Sequence, residues 1–235
     1  MQQKTKVFTF LFFIVFAIQL YAEYRDNAGL RLFSKPLIVL ALMAWLYSGT
    51  GLTSRFNVLI FTGLGFALAG DVLLMFQDYN SSFFIFGLIA FLLCHIFYIA
   101  AFNEDRKAKS IVKNPFFIWA IIVFAAFCAA LFFYLQPHLG ALQYPVLVYA
   151  IIISMMAIMA VSRYGKVNLM SFEIIFYGAI FFLFSDSILA YNKFVEVLPQ
   201  AGVIIMSSYM LAQYLIVFGT VARKQISLQN EAQTS

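Results

Sequence analysis

Charge is what this sequence has least of. Only 11% of its 235 residues are Asp, Glu, Lys or Arg, where a soluble domain carries about 25%. With 64% hydrophobic residues and a mean hydropathy of +0.92, the chain cannot cover a water-facing surface of its own size. Soluble globular, disordered and nucleic-acid-binding classes are set aside on that ground. Cysteine is scarce too. Cys94 and Cys128 both lie inside apolar runs, which argues against a disulfide framework or a thiolate metal site. Histidine is limited to His95 and His138, with no zinc-ligand spacing, so neither metal nor cofactor is expected. There is no phosphate-binding glycine loop, no defensible Ser-His-Asp arrangement and no linker long enough to hold an extramembrane domain. What is abundant is apolar and aromatic, with 29 phenylalanines, and the length suits one compact domain.

A membrane-spanning helix needs roughly 20 apolar residues. Segments 7–22, 32–47, 56–76, 83–102, 115–135, 144–162, 172–191 and 201–222 meet that requirement, which predicts an all-α polytopic membrane protein of eight transmembrane helices. Residues 1–222 then form a single domain, and 223–235 a polar cytoplasmic tail. Lys35-Pro36 interrupts the start of the second segment, where proline costs little. The first segment also resembles a signal peptide, but an internal repeat favours reading it as the first helix.

Of the fifteen basic residues, only Arg25, Arg31, Lys35 and Lys193 fall on the side opposite the N-terminus. By the positive-inside rule, both termini are cytoplasmic. The net charge of +5 is thus a topology signal rather than a nucleic-acid footprint. The predicted location is multi-pass in a bacterial inner membrane.

Two aspartates break the apolar runs. Asp71 closes Gly63-Leu-Gly-Phe-Ala-Leu-Ala-Gly, and Asp186 closes Gly178-Ala-Ile-Phe-Phe-Leu-Phe-Ser. Aligned on the aspartates, the stretches also share Phe66/Phe181, Leu68/Leu183 and Leu74/Leu189, and sixteen residues on come Gly87 and Gly202. That pattern suggests two parallel four-helix repeats offset by 115 residues, related by an axis along the membrane normal. Asp71 lies seven residues before Asp78, and Asp186 seven before Lys193. Both carboxyls therefore sit roughly 10 Å below the outer boundary. Intramembrane carboxylates usually face a bundle interior and serve function. His95 with Tyr98, and Tyr209 with Gln213, are further polar groups inside apolar segments. Structural hydrogen bonding accounts for them as readily as function does.

Lys35-Pro36, Gly-Asp-Val-Leu-Leu-Met at 70–75, Phe-Gly-Leu at 86–88 ahead of His95-Ile-Phe-Tyr98, Phe-Ser-Asp-Ser-Ile-Leu-Ala at 184–190 and Ala-Gln-Tyr-Leu-Ile at 212–216 together resemble the lysoplasmalogenase-like, YhhN-type membrane protein family. The resemblance runs from about Leu32 to Val221. It implies an eight-helix membrane hydrolase that cleaves the vinyl ether of lysoplasmalogens to a fatty aldehyde and a glycerophospho-alcohol. The implied functional positions are Asp71 and Asp186, with Lys35, His95, Tyr98 and Gln213 as further candidates. The substrate would be a lysophospholipid with a choline or ethanolamine head group, met among bilayer lipids.

That chemistry suits paired carboxyls. Protonation of the vinyl ether β-carbon gives an oxocarbenium ion, water captures it, and the hemiacetal collapses to aldehyde and alcohol. One carboxyl must hold a proton while the other is ionised, and two like groups in one cavity divide those roles. Glycosidases use a comparable pair. Lys35 and Lys193 are candidates for holding the phosphate, or equally for interface anchoring, and Tyr209 is a supporting residue. The competing readings are a proton-coupled transporter or lipid-binding protein that uses the aspartates as a relay, and a scaffold with buried polar glue.

Overall fold

The computed structural model describes residues 2–107 and 113–226. Lys109 and the tail beyond Ile226 therefore lie outside the described residues. Among those described there are eight α-helices: α1 (Gln2–Tyr24), α2 (Ala28–Thr50), α3 (Arg55–Met75), α4 (Ser82–Arg106), α5 (Phe117–Leu139), α6 (Gln143–Val161), α7 (Leu169–Phe194) and α8 (Ala201–Val221). An isolated antiparallel bridge, Val167 to Gln225, is the one β feature described.

Seven helical stretches are long and apolar enough to cross a membrane, against an expected eight. The fifth, Phe117–Val161, is 45 residues long and contains α5, a single 3-10 turn and α6. Large apolar side chains such as Phe10, Phe33, Trp119 and Phe133 stand more than half exposed around the bundle. Water would not tolerate so continuous an apolar surface. The chain is a multi-pass integral membrane protein.

The helices reach further into the polar breaks than hydropathy alone suggests. Only residues 25–27 separate α1 from α2, because the polar residues there satisfy one another. Arg31 pairs with Glu23 at 3.3 Å and with Asp26 at 2.7 Å. The Asn27 side chain caps α2 by accepting from the Leu30 amide at 3.0 Å. Pro36 thus sits well inside α2 rather than near its start. It offers no amide to the carbonyl of Leu32. Likewise α5 continues through Pro137 and His138, so His138 is helical and not in a loop. There the chain reverses at Gly140, whose φ is +51°, and Leu135, Leu139 and Val146 bury together across the turn.

Successive helices pack as hairpins, α1 on α2, α3 on α4, α5 on α6 and α7 on α8. Small residues allow the closest approaches. A Cβ on Gly63 would stand 2.5 Å from the Tyr98 ring, and one on Gly178 would stand 3.0 Å from the Ala212 carbonyl oxygen. The hairpins join through α2–α3, α6–α7, α4–α6 and α2–α8 contacts. α1 is held to the bundle by a Thr9–Tyr214 hydroxyl contact of 3.0 Å and by Phe12, whose ring lies 4.8 Å from that of Tyr214.

One end of the bundle carries a buried ionic cluster. Asp105, from α4, receives Arg163 Nε on one carboxylate oxygen at 2.8 Å and Arg223 on the other. Asp105 and Arg163 are wholly buried. The Arg163 guanidinium lies 5.4 Å and 5.5 Å from the centroids of the adjoining Phe56 and Phe102 rings and also donates to the Ser171 hydroxyl at 2.9 Å. Burial pulls the Arg163 pKa below its usual value, and the Asp105 carboxylate opposes that pull.

Candidate active site

The opposite end holds a cavity of about 520 Å³, a size that suits a small organic ligand or lipid head group. Asp71 from α3 and Asp186 from α7 both line it, so the two aspartates that stood at matching positions in the sequence open into one space. Lys35 and Tyr209 are also in its wall.

Asp71 is almost fully buried. The Tyr209 hydroxyl donates to its Oδ2 at 2.6 Å, and the Lys35 ammonium lies 3.6 Å from Oδ1. The latter distance is that of an ion pair rather than a hydrogen bond. Behind Tyr209, Gln213 Nε2 approaches the phenol oxygen at 3.5 Å, and the Tyr98 hydroxyl donates to Gln213 Oε1 at 2.6 Å. Tyr98 and Gln213 are fully buried and do not line the cavity. They form the outer links of a polar chain that ends on Asp71, and so orient Tyr209.

Asp186 has different company. The Tyr149 hydroxyl donates to its Oδ2 at 2.5 Å, and His95 Nε2 lies 3.2 Å from the same oxygen and 3.1 Å from the Tyr149 oxygen. With Tyr149 donating to the carboxylate, an Nε2–H tautomer of His95 serves both acceptors. His95 Nδ1 is buried without a hydrogen-bond partner among the described residues, and the Phe182 ring lies edge-on 4.6 Å from the imidazole. Each aspartate thus receives one short phenol hydrogen bond. Asp71 adds a lysine and Asp186 a histidine.

Lys193 stands apart from the other candidates. It is exposed, lies 4.6 Å over the Phe84 ring and donates to Gln77 at 3.4 Å. Gln77 lines the cavity and Lys193 does not. Among the described residues, no three His, Cys, Asp or Glu side chains gather closely enough to hold a metal ion.

Three wall or support residues escaped the sequence reading. Arg31 lines the mouth one helical turn from Lys35, and that i, i+4 spacing was a usable signal. Glu23, also in the wall, had none, because it read as part of a polar break. Tyr149 had none either, since a tyrosine in an apolar span looks like any packing aromatic.

The comparisons with known proteins agree with one another. A human protein named lysoplasmalogenase TMEM86A is 34% identical over 170 residues, which cover 71% of this chain and 66% of that protein. Its namesake in Bos taurus is 30% identical over the same coverage. A mouse protein named lysoplasmalogenase TMEM86B is 24% identical over 187 residues, covering 80% of this chain and 73% of the relative. The chain therefore spans just under two thirds of the length of the TMEM86A relatives. No solved structure matches it. The pattern of the YhhN family matches residues 30–220, and on that extent the chain belongs to the YhhN family.

Proposed function

We propose that the protein is a lysoplasmalogenase, hydrolysing the vinyl ether of a lysoplasmalogen through Asp71 and Asp186. The observation that carries this reading is that two carboxyl groups, each hydrogen-bonded to a phenol, line one cavity inside a membrane protein. The names of the relatives point the same way. One aspartic acid gives its proton to the vinyl β-carbon. The other, as carboxylate, faces the oxocarbenium ion and takes a proton from the attacking water. The hemiacetal then breaks to a fatty aldehyde and a glycerophospho-alcohol, so the net reaction consumes one water. Tyr209 and Tyr149 fix the two carboxyls, and His95 backs Asp186.

At the mouth, Arg31 and Lys35 offer cations for the substrate phosphate. Glu23 and Asp78, also in the wall, offer carboxylates to a choline or ethanolamine ammonium. Lys193 serves as an interface anchor beside Gln77.

The chain crosses the membrane eight times in this reading, with both termini cytoplasmic. A 45-residue helical stretch is about 68 Å long if straight, twice the hydrocarbon thickness, and its reversal at Gly140 makes it two crossings. The halves are parallel repeats. Tyr98 and Gln213 are 115 residues apart, the same offset as Asp71 and Asp186, and are hydrogen-bonded to each other. Such mates meet where a two-fold axis runs between them. The α2–α3 and α6–α7 contacts correspond under the same offset, as do α4–α6 and α8–α2.

The test is aldehyde release by purified protein from choline and ethanolamine lysoplasmalogens, with the saturated ether analogue as control. The vinyl ethers are expected to be cleaved and the saturated ether left intact. Asp71→Asn and Asp186→Asn should each lower the rate by at least about 10²-fold. Full activity in both variants would rule out the paired-carboxyl mechanism, and flux without product would favour a transporter.

A further inference from the structure

Asp186 has a second hollow beside it. α5, α6 and α7 leave a narrow crevice of about 30 Å³, walled by Leu131 and Leu135 from α5, Ala150 and Ile153 from α6 and Ala190 from α7, together with Tyr149 and Asp186. Asp186 is the residue that lines both this crevice and the large cavity. The two hollows differ sharply in chemistry. The cavity wall carries Glu23, Arg31, Lys35, Asp71 and Asp78, whereas the crevice is almost wholly apolar. The polar hydrogens along it are already engaged. Tyr149 donates to Asp186 at 2.5 Å, and the Ser187 hydroxyl donates to the Leu183 carbonyl at 2.6 Å. A volume near 30 Å³ admits about one or two water-sized groups, so methylenes fit and a head group does not. Leu135 and Val146 of its wall pack with Leu139 in a small apolar cluster, and Leu131 is part-buried.

We infer that this crevice is the subsite for the substrate's hydrocarbon chain. The inference rests on the lysoplasmalogenase reading and extends it. A lysolipid has its polar glycerophosphate on one side of the scissile bond and its chain on the other. With the head group in the large cavity and the first methylenes between α5, α6 and α7, that bond lies at the one residue common to both spaces. The rest of the chain stays in membrane hydrocarbon beside α5. Only the first methylenes enter the crevice, so it reads the width of the chain next to the vinyl ether and not its overall length.

Two measurements test it. The first is the ratio of kcat/KM for straight-chain vinyl ether lysolipids over analogues with a methyl branch beside the vinyl group. Ile153→Ala, which widens the crevice, should lower that ratio about tenfold, and Ala150→Phe, which narrows it, should raise it. A ratio unchanged in both variants overturns the inference. The second needs no turnover and no variant. A saturated ether lysolipid with a photoreactive diazirine near the start of its chain is crosslinked to the wild-type protein in proteoliposomes, and the labelled peptides are mapped. Labels within residues 131–153 support the subsite, and labels confined to the α2–α3 wall of the large cavity overturn it. If the crevice is labelled but no vinyl ether is cleaved, the chain subsite stands and the hydrolase reading falls. Cleavage with labels elsewhere gives the opposite result.

Discussion

Asp71 and Asp186 each receive a tyrosine hydroxyl, which the proposed reaction does not consume. A hydrogen bond to a charged group contributes about 1.5–3 kcal/mol, which corresponds to about 10- to 100-fold in rate if it is made fully in the transition state. Tyr149→Phe and Tyr209→Phe are therefore expected to lower kcat by about that range and to leave KM nearly unchanged. Steady-state kinetics on a vinyl ether lysolipid would decide it, and an unaltered kcat in both variants would demote the phenols to packing. These two tyrosines also mark how far single residues were legible. The aspartates stood out because a carboxylate inside an apolar run is costly and needs a reason. Tyr209 was noticed beside Gln213 on the same segment, but Tyr149 was lost among 13 tyrosines and 29 phenylalanines. Its role comes from α6 packing against α4 and α7, a long-range arrangement that no local pattern encodes.

At the scale of elements, small residues decide how closely α3 and α4 approach, and that approach sets the position of Tyr98. In Gly63→Ala, the added methyl would stand 2.5 Å from Tyr98 Cε1, and the ring is fixed at its far end by Gln213. Such overpacking typically costs about 1–3 kcal/mol, and the displacement passes along Gln213 and Tyr209 towards Asp71. Lower melting temperature and lower activity are expected together. Gly65→Ala is the control, since nothing lies within 4 Å of the added carbon and alanine favours a helix by about 1 kcal/mol over glycine. It should match or exceed wild-type stability, so equal losses in both variants would refute the packing argument. Hydropathy locates the eight described helices within a few residues at most ends, although it reads them as eight membrane spans where seven stretches are long and apolar enough to cross. The exceptions were α1 to α2 and α5, where Asn27, Arg31 and His138 read as loop. Hydropathy sees their polarity, while the ion pairs of Arg31 and the packing of Leu135, Leu139 and Val146 across the exposed turn at Gly140 are contacts it does not encode.

For the whole molecule, the cavity sits at one end and the Asp105–Arg163–Arg223 cluster at the other, so stability and chemistry are separable. In the sequence Asp71 and Asp186 lie inside apolar segments, whereas Asp105 and Arg163 fall in the polar breaks after segments 83–102 and 144–162, where hydropathy expects solvent. Burial of these two follows from three positions, 105, 163 and 223, that are far apart in the chain and meet only after α4, the α6–α7 connection and α8 have assembled. Removing the one carboxylate leaves the wholly buried Arg163 without its counter-ion, a change that costs about 3–5 kcal/mol in comparable buried pairs. Asp105→Asn should therefore lower the melting temperature in detergent markedly. Replacing all three charges together, as Asp105→Leu with Arg163→Met and Arg223→Met, should recover much of that loss, because no buried charge is then left unpaired. If the triple variant is no more stable than the single one, the cluster's hydrogen bonds to Ser171 and its packing over Phe56 and Phe102 matter more than its charge balance. In either case the folded fraction should still hydrolyse substrate at close to the wild-type rate per molecule, since no member of the cluster lines the cavity.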